Sequence, residues 1–372
     1  MFLAYPKRIV CEWGARKRLD EIFKEMDIDE KPKYLLVTGR SIRYDIVKNE
    51  LTEKIGEPII HFNRVTPEPC IDDLETLIKI LRERKPELIL AVGGGSVIDV
   101  AKACAAIAPA KGACKDYFYA KRQIKKQGIT LVAMPTTAGT GAEITKNSVI
   151  LDPKTKLKQS IRHRFMIPAV AICDPELTVS MPRNLTIDTG LDAMTQAIEA
   201  YLTKSANHLT RALAMKAVQL ILTNLPIVVE NPNDRMARIA MCEGSLLSAM
   251  SFSQSGLGAV HGLAHPIGAL LNVPHGRCCA ILLPHVMAFN APACSRRLNE
   301  LAGATQLNDA DDFTQCITEL CSKLGVQHNF MDFGLKKEHF HFIVKNCRSN
   351  SMSGNPVYPT DEDIVEILEK LS

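Results

Sequence analysis

The hydrophobic period of this 372-residue chain changes at about Pro182, and that change limits its fold more than any single motif does. From about residue 30 to 178, short apolar runs alternate with amphipathic segments. YLLVT (34–38), PIIHF (58–62), ELILAVG (87–93), ITLVAM (129–134) and AVAIC (169–173) read as strands, and IDDLETLIKILRER (71–84) between them reads as a helix. Strands that are apolar throughout and separated by helices need cover on both faces, which predicts a parallel sheet in an α/β domain. Beyond Pro182 only helical periodicity remains, over 186–203, 207–224, 234–252, 259–271 and 360–371. The chain is too long for one ordinary core. The expected architecture is an α/β domain over 1–180 and an all-α domain over 181–372, packed closely with a cleft between them.

Composition narrows the partners. The chain is 46% apolar and 23% charged, with a net charge of +4. Its densest basic run, KRQIKK (121–126), is short and has no interleaved aromatics, so nucleic acid is not an expected partner. The opening MFLAYPKRIVCEWGARK lacks the apolar core and small-residue cleavage site of a signal peptide, and no run approaches a membrane-spanning length. Twelve cysteines are scattered without a CxxC pair, and only Cys278 and Cys279 are adjacent. Reduced thiols in a cytoplasmic protein are the expectation.

The third strand runs directly into GGGSVIDVAKA (93–103). Gly93, Gly94 and Gly95 let the backbone approach a ligand closely, Ser96 can cap the helix that follows, and the free amides of a helix start favour an anion such as a pyrophosphate. The run is not the GxGxxG fingerprint, because Ile98 stands where the third glycine would be. A second loop, MPTTAGTGAEIT (134–145), follows the next strand and offers the hydroxyls of Thr136, Thr137 and Thr140 at the carboxyl edge where such sheets bind ligands. Either loop alone can be a structural turn; two on neighbouring strands reinforce each other.

In LDAMTQAIEA (191–200), Leu191, Met194, Ala197 and Ile198 are spaced to bury one helix face, while Asp192 and Gln196 stand one turn apart. The pair is either half of a metal site or a solvated face. The densest chemistry lies in GAVHGLAHPIGALLNVPHGRCCAILLPH (258–285), where His261 and His265 are four apart and His275 follows an Asn-Val-Pro turn. Spacing alone would make His261 and His265 the ligand pair, since HxxxH on a helix suits zinc.

Together GGGSVIDVAK, PTTAGTGAE, GLDAMTQAIEAY and VHGLAHPIGALLNVPHG resemble the iron-containing (group III) alcohol dehydrogenase family, over nearly the whole chain. The resemblance implies a Rossmann-like nucleotide-binding domain, a helical metal-binding domain of the dehydroquinate synthase-like architecture, and a homodimer with its active site between the domains. It implies a metal-dependent, NAD(P)-linked dehydrogenase of a small alcohol or aldehyde. The family's metal ligands fall on Asp192, Gln196, His261 and His275, and His265 falls beside the substrate and nicotinamide, a candidate proton relay rather than a ligand. Asp99, Lys158 and Leu177 join the glycine and threonine loops around the cofactor. Either Fe2+ or Zn2+ is expected, acting as a Lewis acid on the alcohol oxygen.

Two departures stand out. Gln occupies position 196 where the family has His, offering a neutral amide oxygen that is a poorer donor to a soft divalent ion. NAD-preferring members carry Asp after the strand near residue 38, whose carboxylate repels a 2′-phosphate; here Gly39 stands in that place with Arg40, Ser41 and Arg43 nearby, which predicts acceptance of NADP as well as NAD. Competing readings are a zinc-dependent polyol dehydrogenase, a lyase on the same architecture, for which Arg277 is the only cation near the histidine motif, and a binding protein that has lost its metal. Phe252 and the apolar helix faces suggest a small, weakly polar substrate.

Overall fold

The computed structural model describes residues 3–41 and 43–372, and the side chains of 43–46, Arg43 among them, lie outside the described residues. The chain divides into two compact units, Met1–Met181 and Pro182–Ser372.

In the first unit a six-stranded sheet runs in the order β1-β8-β5-β4-β2-β3, with every pairing parallel. Its strands are β1 (Arg8–Cys11), β2 (Tyr34–Gly39), β3 (Ile60–Val65), β4 (Leu88–Gly93), β5 (Thr130–Pro135) and β8 (Val170–Cys173). Between them lie α1 (Leu19–Glu25), α2 (Arg43–Ile55), α3 (Ile71–Arg84), α4 (Gly95–Ile107) and α5 (Cys114–Phe118). An antiparallel hairpin, β6 (Asn147–Asp152) and β7 (Leu157–Arg162), stands apart from the sheet.

Two-residue alternation divides the strand side chains between two cores. Leu35, Val37, Ile89, Ala91 and Ala133 enter the core shared with α3 and α4. Tyr34, Leu36, Leu90, Val92, Val132 and Ile172 enter the opposite core, closed by Leu19, Ile22 and Phe23 of α1 and by Leu51 and Ile55 of α2. Each of the Leu, Ile and Val side chains contributes on the order of 1.5–3 kcal/mol by leaving water, so cover on both faces holds these strands in the interior.

The second unit holds no strand among the described residues. Its helices are α6 (Arg183–Leu202), α7 (His208–Glu230), α8 (Arg235–Ser255), α9 (Ala259–Leu271), α10 (His275–Ala304), α11 (Ala310–Lys323), α12 (Phe340–Asn346), α13 (Asn350–Gly354) and α14 (Asp361–Glu369). Contrary to the expectation that no run reaches membrane-spanning length, α7 and α10 are long and apolar enough by composition. They serve as core helices: α7 packs on α6 and α8, and α10 on α6, α9 and α11. All twelve cysteines are free thiols.

Candidate active site

Four adjacent strands deliver the cofactor candidates to one edge of the sheet. Gly39 ends β2, Gly93 ends β4, Thr136 follows β5, and Leu177 lies in the Pro175–Thr178 turn after β8. The two glycine-bearing loops pack on each other. A Cβ on Gly95 would lie 2.7 Å from Thr140 Oγ1, one on Gly94 would lie 3.4 Å from Thr137 Cγ2, and the Thr136 amide donates to the Gly93 carbonyl at 3.0 Å. A side chain at 95 would therefore pry the loops apart, which is why glycine is needed there.

Ser96 does not cap α4. The helix begins at Gly95 with Gly94 as its N-cap and no side-chain bond, so Ser96 already lies within the first turn. By helix geometry the first amides, at Gly95 and Ser96, have no carbonyl of their own helix to bond and are left for an anion.

The other family-derived positions have protein partners. Asp99 accepts from the Val149 amide at 2.9 Å and pairs with the buried Lys102 at 2.9 Å, so it anchors the β6–β7 hairpin to α4. Lys158, on β7, pairs with Glu68. Arg40 and Ser41 are exposed beyond β2.

The second unit assembles the metal candidates from the start of two helices and the middle of a third. Helix α6 presents Asp192, Gln196 and Glu199, at i, i+4 and i+7, all buried. His261 is the third residue of α9, and His275 opens α10, with Cys279 one turn further on the same face. Glycine again permits the approach: a Cβ on Gly276 would lie 2.1 Å from the Asp188 carbonyl oxygen, so α10 rests directly on α6 one turn before Asp192. Arg277 ties the same two helices, donating to Asp188 at 2.7 Å. It is thereby committed to a structural ion pair rather than to a polyanionic substrate.

Glu199 was not evident in the sequence as a site residue, yet it organises the cluster. Its carboxylate accepts from the Val260 amide at 2.7 Å, at the start of α9, and from His261 Nδ1 at 2.5 Å. A carboxylate can only accept here, so Nδ1 carries the hydrogen and Nε2 turns its lone pair inward. That lone pair faces Asp192 Oδ1 at 3.4 Å. Two acceptors so placed repel unless a proton or a cation lies between them.

The surrounding charges favour positive charge at this point, whether as a proton on Nε2 or as a cation. Burial pushes the His261 imidazole down, but Cys279, Glu199 and Asp192 outweigh it and hold the group well above the ordinary histidine range. Burial pushes the Cys279 thiol up to about 11, against the pull of His261. Asp192 Oδ1 and Gln196 Oε1 are both buried without a hydrogen-bond partner, while Gln196 Nε2 donates to Asp192 Oδ2 at 3.0 Å. A buried cluster of negative charge and unsatisfied oxygens fits a divalent cation.

Ligand atoms of Asp192, His261, His275 and Cys279 all lie within 4.8 Å of one another. His265 is not of this group; its ring lies 5.5 Å from that of His275, and both are only half-buried, unlike the rest of the cluster. Phe252 is buried in α8.

Helix-start amides left unbonded at the edge of a parallel sheet and a buried carboxylate–histidine cluster in a helical unit fit one class, the dehydrogenases that use a metal ion with a nicotinamide cofactor. Residues 6–175 match the iron-containing alcohol dehydrogenases and residues 186–372 match the C-terminal part of the same family. The chain belongs to the iron-containing alcohol dehydrogenase family.

It is 36% identical over 366 residues to alcohol dehydrogenase 4 of Saccharomyces cerevisiae, covering 96% of this chain and 94% of that one. It is 32% identical over 376 residues to an NAD-dependent methanol dehydrogenase of Bacillus methanolicus, covering 98% of each. Among solved structures it resembles a sulfoacetaldehyde reductase from Bifidobacterium kashiwanohense in complex with NAD+, with a TM-score of 0.93, 28% identity, and 100% and 98% of the two chains covered. Members of the family use NAD(H) and a divalent metal, and this chain is a metal-dependent, NAD-linked alcohol dehydrogenase.

Proposed function

We propose that the chain interconverts a small primary alcohol and its aldehyde, with the nicotinamide cofactor on the loops of residues 1–180 and a divalent metal on Asp192, His261 and His275 of residues 181–372. The relatives' names run from methanol and sulfoacetaldehyde to long-chain alcohols, which supports an alcohol–aldehyde pair, while the short chain length rests on the apolar helix faces around Phe252. Gln196 stands beside Asp192 as a neutral donor, holding one carboxylate oxygen through its amide nitrogen. When bound, the ion supplies Lewis acidity toward the alcohol oxygen and the nicotinamide accepts the hydride.

The chain's own groups do the rest. The amides of Gly95 and Ser96 hold the pyrophosphate, with Gly93, Gly94, Thr136, Thr137 and Thr140 shaping the loop around it. Asp99 fixes the hairpin that carries Lys158, whose ammonium exchanges Glu68 for the ribose hydroxyls when the cofactor binds, and Leu177 lies at the same sheet edge. Gly39 leaves the 2′-position of the adenosine ribose without a repelling carboxylate, so NADP(H) is accepted at least as well as NAD(H). His265, half-buried beside His275, passes the hydroxyl proton of the alcohol toward solvent. The enzyme acts as a cytoplasmic homodimer.

One observation carries the reading: the donor atoms of Asp192, His261, His275 and Cys279 converge within 4.8 Å of one another, with His261 Nε2 facing Asp192 Oδ1 at 3.4 Å. Metal analysis combined with turnover of both cofactors tests it. His261→Ala and His275→Ala are expected to lose the ion and the activity, while His265→Ala keeps the ion and loses rate. A His265→Ala protein that sheds its metal equally would overturn the assignment, and strong discrimination against NADP by the unmodified enzyme would overturn the reading of Gly39.

A further inference from the structure

Position 196 lacks the imidazole that the family motif places there, and the structure sets a different soft donor against the same ligands. Cys279 is buried, one helical turn beyond His275 on α10. Its sulfur lies 3.7 Å from His275 Nε2 and 4.0 Å from His261 Nε2. Asp192 Oδ1 lies 3.4 Å from His261 Nε2 and 3.8 Å from His275 Nε2.

These are close to the edges of a coordination tetrahedron. With zinc bonds of about 2.3 Å to sulfur and about 2.0–2.1 Å to nitrogen and oxygen, tetrahedral angles give edges of about 3.6 Å for N···S and about 3.3 Å for N···O. The His275 Nε2···Sγ and His261 Nε2···Oδ1 separations exceed those edges by about 0.1 Å, and the His261 Nε2···Sγ and His275 Nε2···Oδ1 separations by about 0.4–0.5 Å, so small side-chain movements bring all four donors to bonding distance of one ion.

We propose that Cys279, rather than Gln196, supplies the fourth strong metal donor, making an Asp192–His261–His275–Cys279 set. This rests on the reading of Asp192, His261 and His275 as metal ligands. On binding, the M2+ ion takes the place of the thiol hydrogen and the proton leaves to solvent, so the sulfur coordinates as thiolate with no change of oxidation state. Two anionic donors and two neutral imidazoles balance the dication.

Gln196 holds Asp192 Oδ2 through Nε2 so that Oδ1 faces inward, and its unpartnered Oε1 is a weaker, neutral donor beside the set. A thiolate favours zinc, and zinc also stands above ferrous iron in intrinsic affinity, so the site selects zinc over Fe2+ when both are offered.

The experiment reads the bond rather than the turnover. The 372-residue protein, stripped of metal and loaded with Co2+, is expected to show an intense sulfur-to-cobalt charge-transfer absorption in the near ultraviolet beside the weaker visible d–d bands. Cys279→Ser keeps the d–d bands, loses the charge-transfer band and binds Zn2+ about 10- to 100-fold more weakly. Gln196→Ala keeps the charge-transfer band.

X-ray absorption of the unmodified zinc protein needs no variant, and is expected to show one sulfur scatterer at about 2.3 Å. Cobalt d–d bands without charge transfer, or a zinc shell without sulfur, would overturn the role of Cys279 while leaving the metal site standing. A protein that binds neither ion would overturn both.

Discussion

At the scale of single residues, the cluster depends on a carboxylate that touches no substrate. Glu199 accepts from His261 Nδ1 and so directs Nε2 inward. Glu199→Gln replaces a charged acceptor by an amide that can present either end, weakening both the orientation and the basicity of His261. Metal affinity is expected to fall about 10- to 100-fold with the fold intact, read by competitive zinc titration alongside circular dichroism. An unchanged affinity would show that packing alone orients the imidazole.

The sequence made Asp192 and Gln196 visible by their four-residue spacing, but left open whether they formed a site. Glu199 and Cys279 passed unnoticed for separate physical reasons. Glu199 acts only because the start of α9 lies over it, a contact 62 residues away in sequence. Cys279 sits in an apolar helix, where a thiol reads as a small core residue. The HxxxH spacing pointed instead to His265, because spacing along one helix carries no information about a ligand arriving from the next.

At the scale of elements, one glycine controls the approach of α10 to α6. Gly276→Ala would place a methyl carbon 2.1 Å from the Asp188 carbonyl oxygen, against backbone that cannot swing aside. The helix start must move, carrying His275 with it and straining the Arg277–Asp188 pair. The expected result is a loss of roughly 1–3 kcal/mol of stability together with weakened metal retention, measured by denaturant unfolding and metal analysis on the same preparation. A destabilised protein with unaltered metal binding would mean that His275 reaches the cluster independently of where α10 begins.

Strands buried on both faces were legible within a residue or two, as YLLVT lies within β2. The one-sided apolar stripe of 71–84 coincides with α3. The elements not evident were those without a continuous apolar face. β1 is four residues long and pairs with β8, some 160 positions away. β7, LKQSIR, is mostly polar and half-exposed. Helix α10 hides behind Pro284 and Pro292, which break its local pattern although the helix runs through them.

For the molecule as a whole, stability should carry a pH dependence that the cofactor unit imposes. Glu143, in the loop after β5, is fully buried, and burial pushes its carboxyl up from an ordinary 4.5 to about 7, with Asp99 adding to the rise and Lys102 opposing it. Lys102 is already engaged by Asp99 at 2.9 Å and by Thr145 at 3.0 Å, so Glu143 has only a share of that positive charge. Below about pH 4.5 the group is protonated in both folded and unfolded chains and favours neither. Between about 4.5 and 7 the unfolded chain releases the proton while the folded one keeps it, so the folded state binds more protons and stability falls as pH rises. Above about 7 the loss is complete, at most about 3 kcal/mol by the size of the shift. Glu143→Gln, neutral at every pH, should match the wild type at about pH 4.5 and exceed it above about pH 7, flattening the slope between. Urea unfolding of both proteins across that range provides the comparison, and a variant whose stability ran parallel to the wild type throughout would show that Glu143 is ionised in the folded state and stabilised there by Lys102.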